Sequence, residues 1–127
     1  MSKHTILATA PIEKVAVDIL AEFGELVIAP DQGKNLFPYL DGAIALIVRG
    51  EAEVGADVIE AGKDLRVIAR SGAGYNNVDI AAATRRGIPV VYTPGANSRA
   101  VAEAAVTFLL ASTKRLFFWD TQLKNGN

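Results

Sequence analysis

A run of small residues in the middle of the chain could bind an anion. It follows the apolar segment "RVIA" closely and precedes a helical pattern, so it joins a predicted strand to a predicted helix. Small residues let backbone N–H groups face a ligand, and the start of the following helix favours negative charge. The run is interpreted either as a carboxylate-binding loop or as a plain tight turn. Its members are Ser71, Gly72, Ala73 and Gly74.

The two glycines of this loop do not complete a dinucleotide fingerprint. That fingerprint needs a third glycine inside the helix and an acidic residue about 20 positions further on, at the end of the next strand. Asn77 occupies the third position, and the next strand ends "VVYTPG" without Asp or Glu. No cofactor-binding residue is therefore predicted in this loop.

Polar residues also follow two other predicted strands. Arg49 and Gly50 come directly after the apolar run "AIALIV", and Arg49 is either a fixed cation for a carboxylate or phosphate or a solvated surface arginine. Asn97 and Ser98 follow the fifth strand, where either could simply cap the last helix. Because open parallel sheets bind ligands at the carboxyl ends of their strands, these loops and Ser71–Gly74 are expected to converge there.

Residues for acid–base or metal chemistry are scarce. His4 is the only histidine, and its position ahead of the first apolar run is typical of a solvated residue at a strand entrance. The chain contains no cysteine, which excludes disulfides and thiolate metal sites. No metal site is therefore predicted.

The composition favours a folded domain that does not bind nucleic acid. Half of the residues (50%) are apolar, the net charge is −1, and the basic residues are scattered. The amino end has too short an apolar run for a signal peptide, and no segment reaches membrane-spanning length. Since the absence of cysteine suits a reducing compartment, we expect a cytoplasmic protein without a membrane partner.

Short apolar runs alternate with helical patterns along the chain. This order predicts an α/β fold, a flavodoxin-like three-layer sandwich with a five-stranded parallel sheet. A helix opened by Pro11 is expected to end at Gly24, and a last helix is expected from Ser98 to about Arg115. The predicted strands are Thr5–Thr9, Glu25–Ala29, Ala43–Val48, the segment "LRVIAR" and the segment "IPVVYT".

The stretch "ARSGAGYNNVDIAAATRRGIPVVYTPGANSRAVAEAAVTFLLASTKR" strongly resembles the D-isomer-specific 2-hydroxyacid dehydrogenases, and within them the phosphoglycerate dehydrogenases. The motifs "RSGAGYNNVD", "RRGIPV", "TPGANS" and "VAE" stand in the order of that family. The preceding part, including "ALIVRGEAEV", is weaker but compatible in order and spacing. The resemblance therefore covers nearly all of the chain.

The resemblance implies roles for the residues that match the family's motifs. Backbone amides of Ser71–Gly74 would hold the carboxylate of a small 2-hydroxy acid. Arg49 and Gly50 would line the substrate pocket, and Arg49 could meet a substrate phosphate. Asn97 would face the cleft near the substrate and the nicotinamide.

The same resemblance predicts how the chain is divided. Residues 1–97 would form a flavodoxin-like substrate-binding domain, 98–115 an interdomain hinge helix, and 116–127 the truncated start of the next segment. The family's cofactor domain, with its dinucleotide loop and catalytic Arg, Glu and His, is not matched in this chain. Because hydride transfer needs a bound nicotinamide and an acid–base group, we expect an amino-terminal part with no catalytic residue and no cofactor. This part alone is expected to bind the small 2-hydroxy acid weakly at best. The parent enzyme would use NAD.

The last helix is apolar around most of its circumference, which predicts burial on several sides. Without a cofactor domain, this helix and the following "LFFW" would expose a large apolar patch. We therefore predict a homodimer through helix 98–115, with exchange of that helix between chains as one form of it. The apolar positions are Val101, Ala102, Ala105, Val106, Phe108, Leu109 and Leu110.

The alternative is a stand-alone flavodoxin-like binding or assembly module that is not an enzyme. A receiver domain would need Asp at the end of the third strand, where Val48 and Arg49 stand. A flavodoxin would need a hydroxyl-rich phosphate loop after the first strand, where only Thr9 is available. The module interpretation therefore remains without a specified ligand.

Overall fold

Five strands form one parallel sheet in the computed structural model, which describes residues 4–126. The sheet has the order β2-β1-β3-β4-β5, and every neighbouring pair is parallel. The predicted α/β class and five-stranded parallel sheet are confirmed, and the strand order is that of flavodoxin-like folds. The strands are β1 (His4–Ala8), β2 (Gly24–Ile28), β3 (Ala43–Val48), β4 (Val67–Arg70) and β5 (Val90–Tyr92).

The helices lie between the strands and after the last one. Two short 3-10 turns, Pro30–Gly33 and Phe37–Tyr39, occupy the proline-containing connection between β2 and β3. No helix in the described range is long and apolar enough to cross a membrane. The α-helices are α1 (Lys14–Leu20), α2 (Ala56–Ala61), α3 (Ile80–Arg85), α4 (Ser98–Thr113) and α5 (Leu116–Lys124).

Gly24 does not end the first helix, as its position in the sequence predicts, but begins β2. Helix α1 already stops at Leu20. A Cβ on Gly24 would lie 2.4 Å from the backbone oxygen of His4, its partner in β1. The glycine therefore serves the close approach of two strands rather than a helix end.

One face of the sheet carries the core. The register aligns Leu46, Ile68 and Val90 across β3, β4 and β5, and the first two are fully buried. Side chains of α2 and α3 cover this face and belong to the same apolar cluster, among them Val58, Ile59, Ala82 and Ala83. Leu7 of β1 extends the cluster.

The opposite face of the sheet is more open. Ile47, Ala69 and Val91 are aligned on it, and Val91 is 50% exposed. Together with one side of α1, they form a largely apolar groove of about 450 Å³. The two faces of the same strands therefore differ in how completely they are covered.

The chain divides after Pro94 into two compact units, and the second contains α4 and α5. The helix predicted to reach Arg115 ends at Thr113, because Arg115 takes a left-handed conformation with φ 51° and separates the two helices. Ala111 is the buried apolar residue of α4, whereas most larger apolar side chains of the unit are exposed.

Candidate functional site

Two of the predicted site loops lie side by side at the carboxyl edge of the sheet. The loop after β3 contains Arg49 and Gly50, and the loop after the neighbouring strand β4 is Ser71–Gly74. The amide of Ser71 donates to the carbonyl of Val48 at 2.9 Å, and the amide of Thr93 donates to the carbonyl of Gly72 at 3.1 Å. The parallel pairing of β3, β4 and β5 thus continues into the loops and holds them together.

The backbone amides of Ser71–Gly74 are not equivalent. The amides of Ser71 and Gly72 already donate within the protein, to Val48 and to the carbonyl of Arg70 at 3.0 Å. The amides of Ala73 and Gly74 have no hydrogen-bond acceptor among residues 4–126, and both residues are exposed. An anion at this loop would therefore be met by the second pair of amides.

Arg70, which the sequence analysis did not single out, lies beneath the loop. Its Nη2 donates to the carbonyl of Gly50 at 3.1 Å, its Nη1 to the carbonyl of Ser71, and its Nε to Oδ1 of Asn77 at 3.1 Å. A Cβ on Gly72 would be 2.7 Å from Nη1, so the loop passes directly over the guanidinium. Among the described residues no carboxylate pairs with Arg70, and its charge is available to a ligand.

The sequence position of Arg70 could have identified it as a candidate site residue. Arg70 is the last residue of β4 and is paired in register with Val48, one residue before Arg49. Both arginines therefore come at the carboxyl end of a strand, where a cation can reach a bound ligand. The sequence analysis did not include Arg70, because the glycines next to it indicate anion binding by backbone amides and not by a side chain.

Arg49 directs its side chain away from Gly50 toward the segment before α1. Its Nη1 donates to the carbonyl of Pro11, and its Nη2 lies 3.7 Å from Oε1 of Glu13. The side chain is 41% exposed and also borders the groove between α1 and the sheet. Arg49 is thus a partly compensated cation at the same edge as Arg70.

Tyr75 holds the far end of the loop. Its ring packs edge-on against that of Tyr92 in β5, with 4.9 Å between the ring centroids and 67° between the planes. Aromatic pairs prefer this arrangement. The loop is therefore attached at its start through Ser71 and at its end through Tyr75, while Ala73 and Gly74 project between these points.

Two other predicted residues lie outside this cluster. His4 is exposed at the first residue of β1, which is the amino end of its strand. Asn97 belongs to the second unit and takes the N-cap position of α4, but its side chain forms no cap hydrogen bond. Its convergence with the other loops stays a prediction. Among residues 4–126, no group of His, Cys, Asp and Glu could hold a metal ion.

Comparison with known proteins agrees with this architecture. Residues 6–120 match the family model of the D-isomer specific 2-hydroxyacid dehydrogenase catalytic domain. The chain is 35% identical to the hydroxypyruvate reductase of Thermotoga maritima, over 99% of the chain and 42% of that protein. It is 39% identical to the D-3-phosphoglycerate dehydrogenase of Methanocaldococcus jannaschii, over 95% of the chain and 23% of that protein.

A solved structure gives the same relationship in three dimensions. The NAD⁺-bound 3-phosphoglycerate dehydrogenase of Entamoeba histolytica superimposes with a TM-score of 0.68 and 28% identity, covering 87% of this chain and 39% of that one. The chain therefore spans less than half the length of these relatives. By its sequence and its fold, the chain belongs to the family of D-isomer specific 2-hydroxyacid dehydrogenases.

Proposed function

We propose that the chain is the substrate-binding part of an NAD-dependent D-2-hydroxyacid dehydrogenase of the phosphoglycerate dehydrogenase type. The observation that carries the proposal is the pair of unused amides at Ala73 and Gly74, in the loop whose Gly72 lies over the guanidinium of Arg70. Unused backbone donors in a loop next to a cation are suited to a carboxylate. The substrate would be a small 2-hydroxy acid, held by its carboxylate on this loop.

The names of the relatives point to two acids that can serve as probes. Phosphoglycerate carries a phosphate besides its carboxylate, and hydroxypyruvate does not. In the proposed arrangement Arg49 meets the phosphate, since its guanidinium lies at the same edge of the sheet and is partly exposed. A planar guanidinium can bind phosphate oxygens in pairs. Gly50 follows with φ 69°, a left-handed conformation that glycine adopts without strain.

A titration of the ¹⁵N-labelled chain followed by NMR tests the proposal. Addition of 3-phosphoglycerate or hydroxypyruvate is expected to shift the amide signals of Ala73 and Gly74 with saturation. Glyceramide, a small hydroxy amide with neither a carboxylate nor a phosphate, is the control and should leave them in place. The same shifts with glyceramide, or none with either acid, would contradict the proposal.

We also propose that the chain alone does not transfer hydride, and that NAD binds to the remainder of the enzyme. The loop that resembles a dinucleotide fingerprint does not complete it, because Asn77, whose side-chain amide is buried, occupies the position of the third glycine. The one histidine, His4, is at the amino end of its strand. Unchanged NADH fluorescence on addition of the chain is expected, and saturable quenching would refute this part of the proposal.

A homodimer through the second unit is the proposed assembly. The unit exposes apolar side chains on both of its helices, and exposed apolar patches of this extent usually mark an interface. The same patch on two copies can be joined by a two-fold axis. Light scattering is expected to give twice the mass of one chain, and a monomer at high concentration would exclude the assembly. The exposed residues are Val101, Val106, Phe108, Leu109, Leu110, Leu116, Phe117, Phe118, Trp119 and Leu123.

A cytoplasmic location stays a prediction of the sequence. The non-enzymatic module remains the alternative to substrate binding, and the titration above separates the two. Carboxylate-dependent shifts at Ala73 and Gly74 support the dehydrogenase part.

A further inference from the structure

Asn77 has a role that carboxylate binding by the loop does not itself explain. It is only 8% exposed, and with Thr9 it makes up the buried polar side chains of the described range. It stands where a dinucleotide fingerprint would have its third glycine. Dinucleotide-binding loops have glycine, without a side chain, at this position. A buried amide here needs hydrogen-bond partners within the protein, because burial without them costs free energy.

The two ends of the Asn77 amide contact two different loops. Its Nδ2 donates to the carbonyl of Ala52 at 2.7 Å and lies 3.5 Å from that of Gly50, in the segment after β3. Its Oδ1 accepts from Nε of Arg70 at 3.1 Å, at the end of β4. The orientation of the amide follows from its partners, because a carbonyl can only accept and a guanidinium can only donate.

Through these bonds Asn77 fixes the plane of the Arg70 guanidinium. Asn77 holds Nε, while the carbonyls of Gly50 and Ser71 hold Nη2 and Nη1. A guanidinium has five N–H donors in a rigid fork, so donors remain on the Nη atoms after these bonds are made. The held fork therefore lies beneath Gly72 with charge and donors still available to an anion.

We infer that Asn77 is a positioning residue for anion binding: it connects the loop after β3 to Arg70 and so sets the guanidinium under the Ser71–Gly74 loop. The inference rests on the proposed carboxylate site. It adds that affinity for the acid depends on a buried amide that the acid does not touch.

The variant Asn77→Asp tests this with almost no change in shape. Its carboxylate can still accept from Arg70 but cannot donate to Ala52, and it compensates the charge that the ligand needs. We expect the affinity for 3-phosphoglycerate to fall by about tenfold or more, the size of one charge-assisted hydrogen bond. Asn125→Asp, which makes the same change at the C-cap of α5, in the unit that does not contain this loop, is the control and should retain the affinity of the unmodified chain.

A second measurement uses the unmodified chain, so its outcome does not depend on whether a variant folds. The Nε–H of Arg70 is bonded to a buried acceptor, whereas the side chain of Arg66, just before β4, is exposed. Hydrogen exchange of the Arg70 Nε–H is therefore expected to be slower than that of Arg66 by about tenfold or more. Equal rates would overturn the inference.

The outcomes separate this inference from the proposed function. If the unmodified chain binds neither acid, the proposed carboxylate site fails and the inference fails with it. If the unmodified chain and a folded Asn77→Asp variant bind equally well, the site stands and the positioning role is refuted. Weaker binding by Asn77→Asp alone, with slow exchange at Arg70, supports the role.

Discussion

The side-chain hydroxyl of Thr9 is hydrogen-bonded twice to the backbone of Arg49. It donates to the carbonyl at 3.0 Å and accepts from the amide at 2.9 Å. The amide of Thr9 itself donates to Ile47 at 2.9 Å, so the pairing of β1 with β3 continues one residue beyond β1. Because Thr9 is fully buried, water cannot replace these bonds, and they fix the point at which the chain leaves β3 toward the site.

Replacement of Thr9 by Val should therefore destabilise the fold. The change preserves shape but leaves the amide and carbonyl of Arg49 without their partner, which costs about 1–3 kcal/mol of unfolding free energy. Thr9→Ser keeps the hydroxyl and loses one methyl group, at about 1 kcal/mol. Urea denaturation of the three proteins measures both effects, and a Ser variant less stable than the Val variant would contradict the role of the hydroxyl.

Arg70→Lys should weaken acid binding while the chain stays folded. A lysine keeps the charge but cannot hold Asn77, Gly50 and Ser71 with one planar fork, so we expect a loss of about tenfold in affinity. Arg66→Lys makes the same chemical change at the other end of β4, where the side chain is exposed, and should not alter the affinity. Calorimetric titration with 3-phosphoglycerate compares the two, and equal affinities would show that charge alone is sufficient.

Gly24→Ala should be more disruptive than alanine at a glycine with open surroundings. The new Cβ would meet the backbone oxygen of His4 at 2.4 Å, which cannot move without opening the pairing of β1 with β2. We expect a loss of about 3 kcal/mol or more. Gly42 has φ 70°, and a Cβ added there would meet no neighbouring atom within 4 Å, so Gly42→Ala should cost only about 1–2 kcal/mol of backbone strain. Thermal unfolding of the two variants shows which is less stable. A larger loss of stability for Gly42→Ala would show that close approach of β1 and β2 is not what requires glycine at position 24.

A charge in the exposed apolar patch should dissociate the proposed dimer. Leu109 and Phe117 are 62% and 73% exposed, so glutamate at either position is tolerated by the monomer but costly when buried between two copies. Leu109→Glu and Phe117→Glu are each expected to give a monomer by light scattering. Asn125→Glu, which adds the same charge just beyond α5, should remain dimeric, and a dimer that persists in both patch variants would place the interface elsewhere.

Much of the fold could be predicted because its signals are local. The bounds of β3, Ala43–Val48, agree with the prediction, since an uninterrupted apolar run is typical of a strand at the centre of a parallel sheet. Gly87 ends the segment of α3 with φ 65°, as a glycine after a helix commonly does. Gly24 was assigned to the wrong element because the sequence does not show that His4 lies beside it.

The site was less predictable because it depends on partners that are distant in the chain. Asn77 and Ala52 are 25 residues apart, and Arg70 and Gly50 are 20 apart. No local pattern indicates that the amide of Ser71 already donates within the protein, because its bond to the carbonyl of Val48 follows from the register of β4 against β3. The sequence therefore predicts approximately where the site lies, but not which groups are free to donate hydrogen bonds to a ligand.

The sequence by itself determined the alternation of strands and helices, the family to which the chain is similar, and the loops that meet at the carboxyl edge of the sheet. These follow from hydrophobic periodicity and from turn residues, which act over a few positions. Only the tertiary structure decided that Ala73 and Gly74 keep free amides and that Asn77 holds Arg70 beneath Gly72 of the same loop. A backbone N–H that donates to an acceptor within the protein cannot also donate to a ligand. Which N–H groups remain free depends on how the strands and loops pack, and that arrangement exists only in the folded chain.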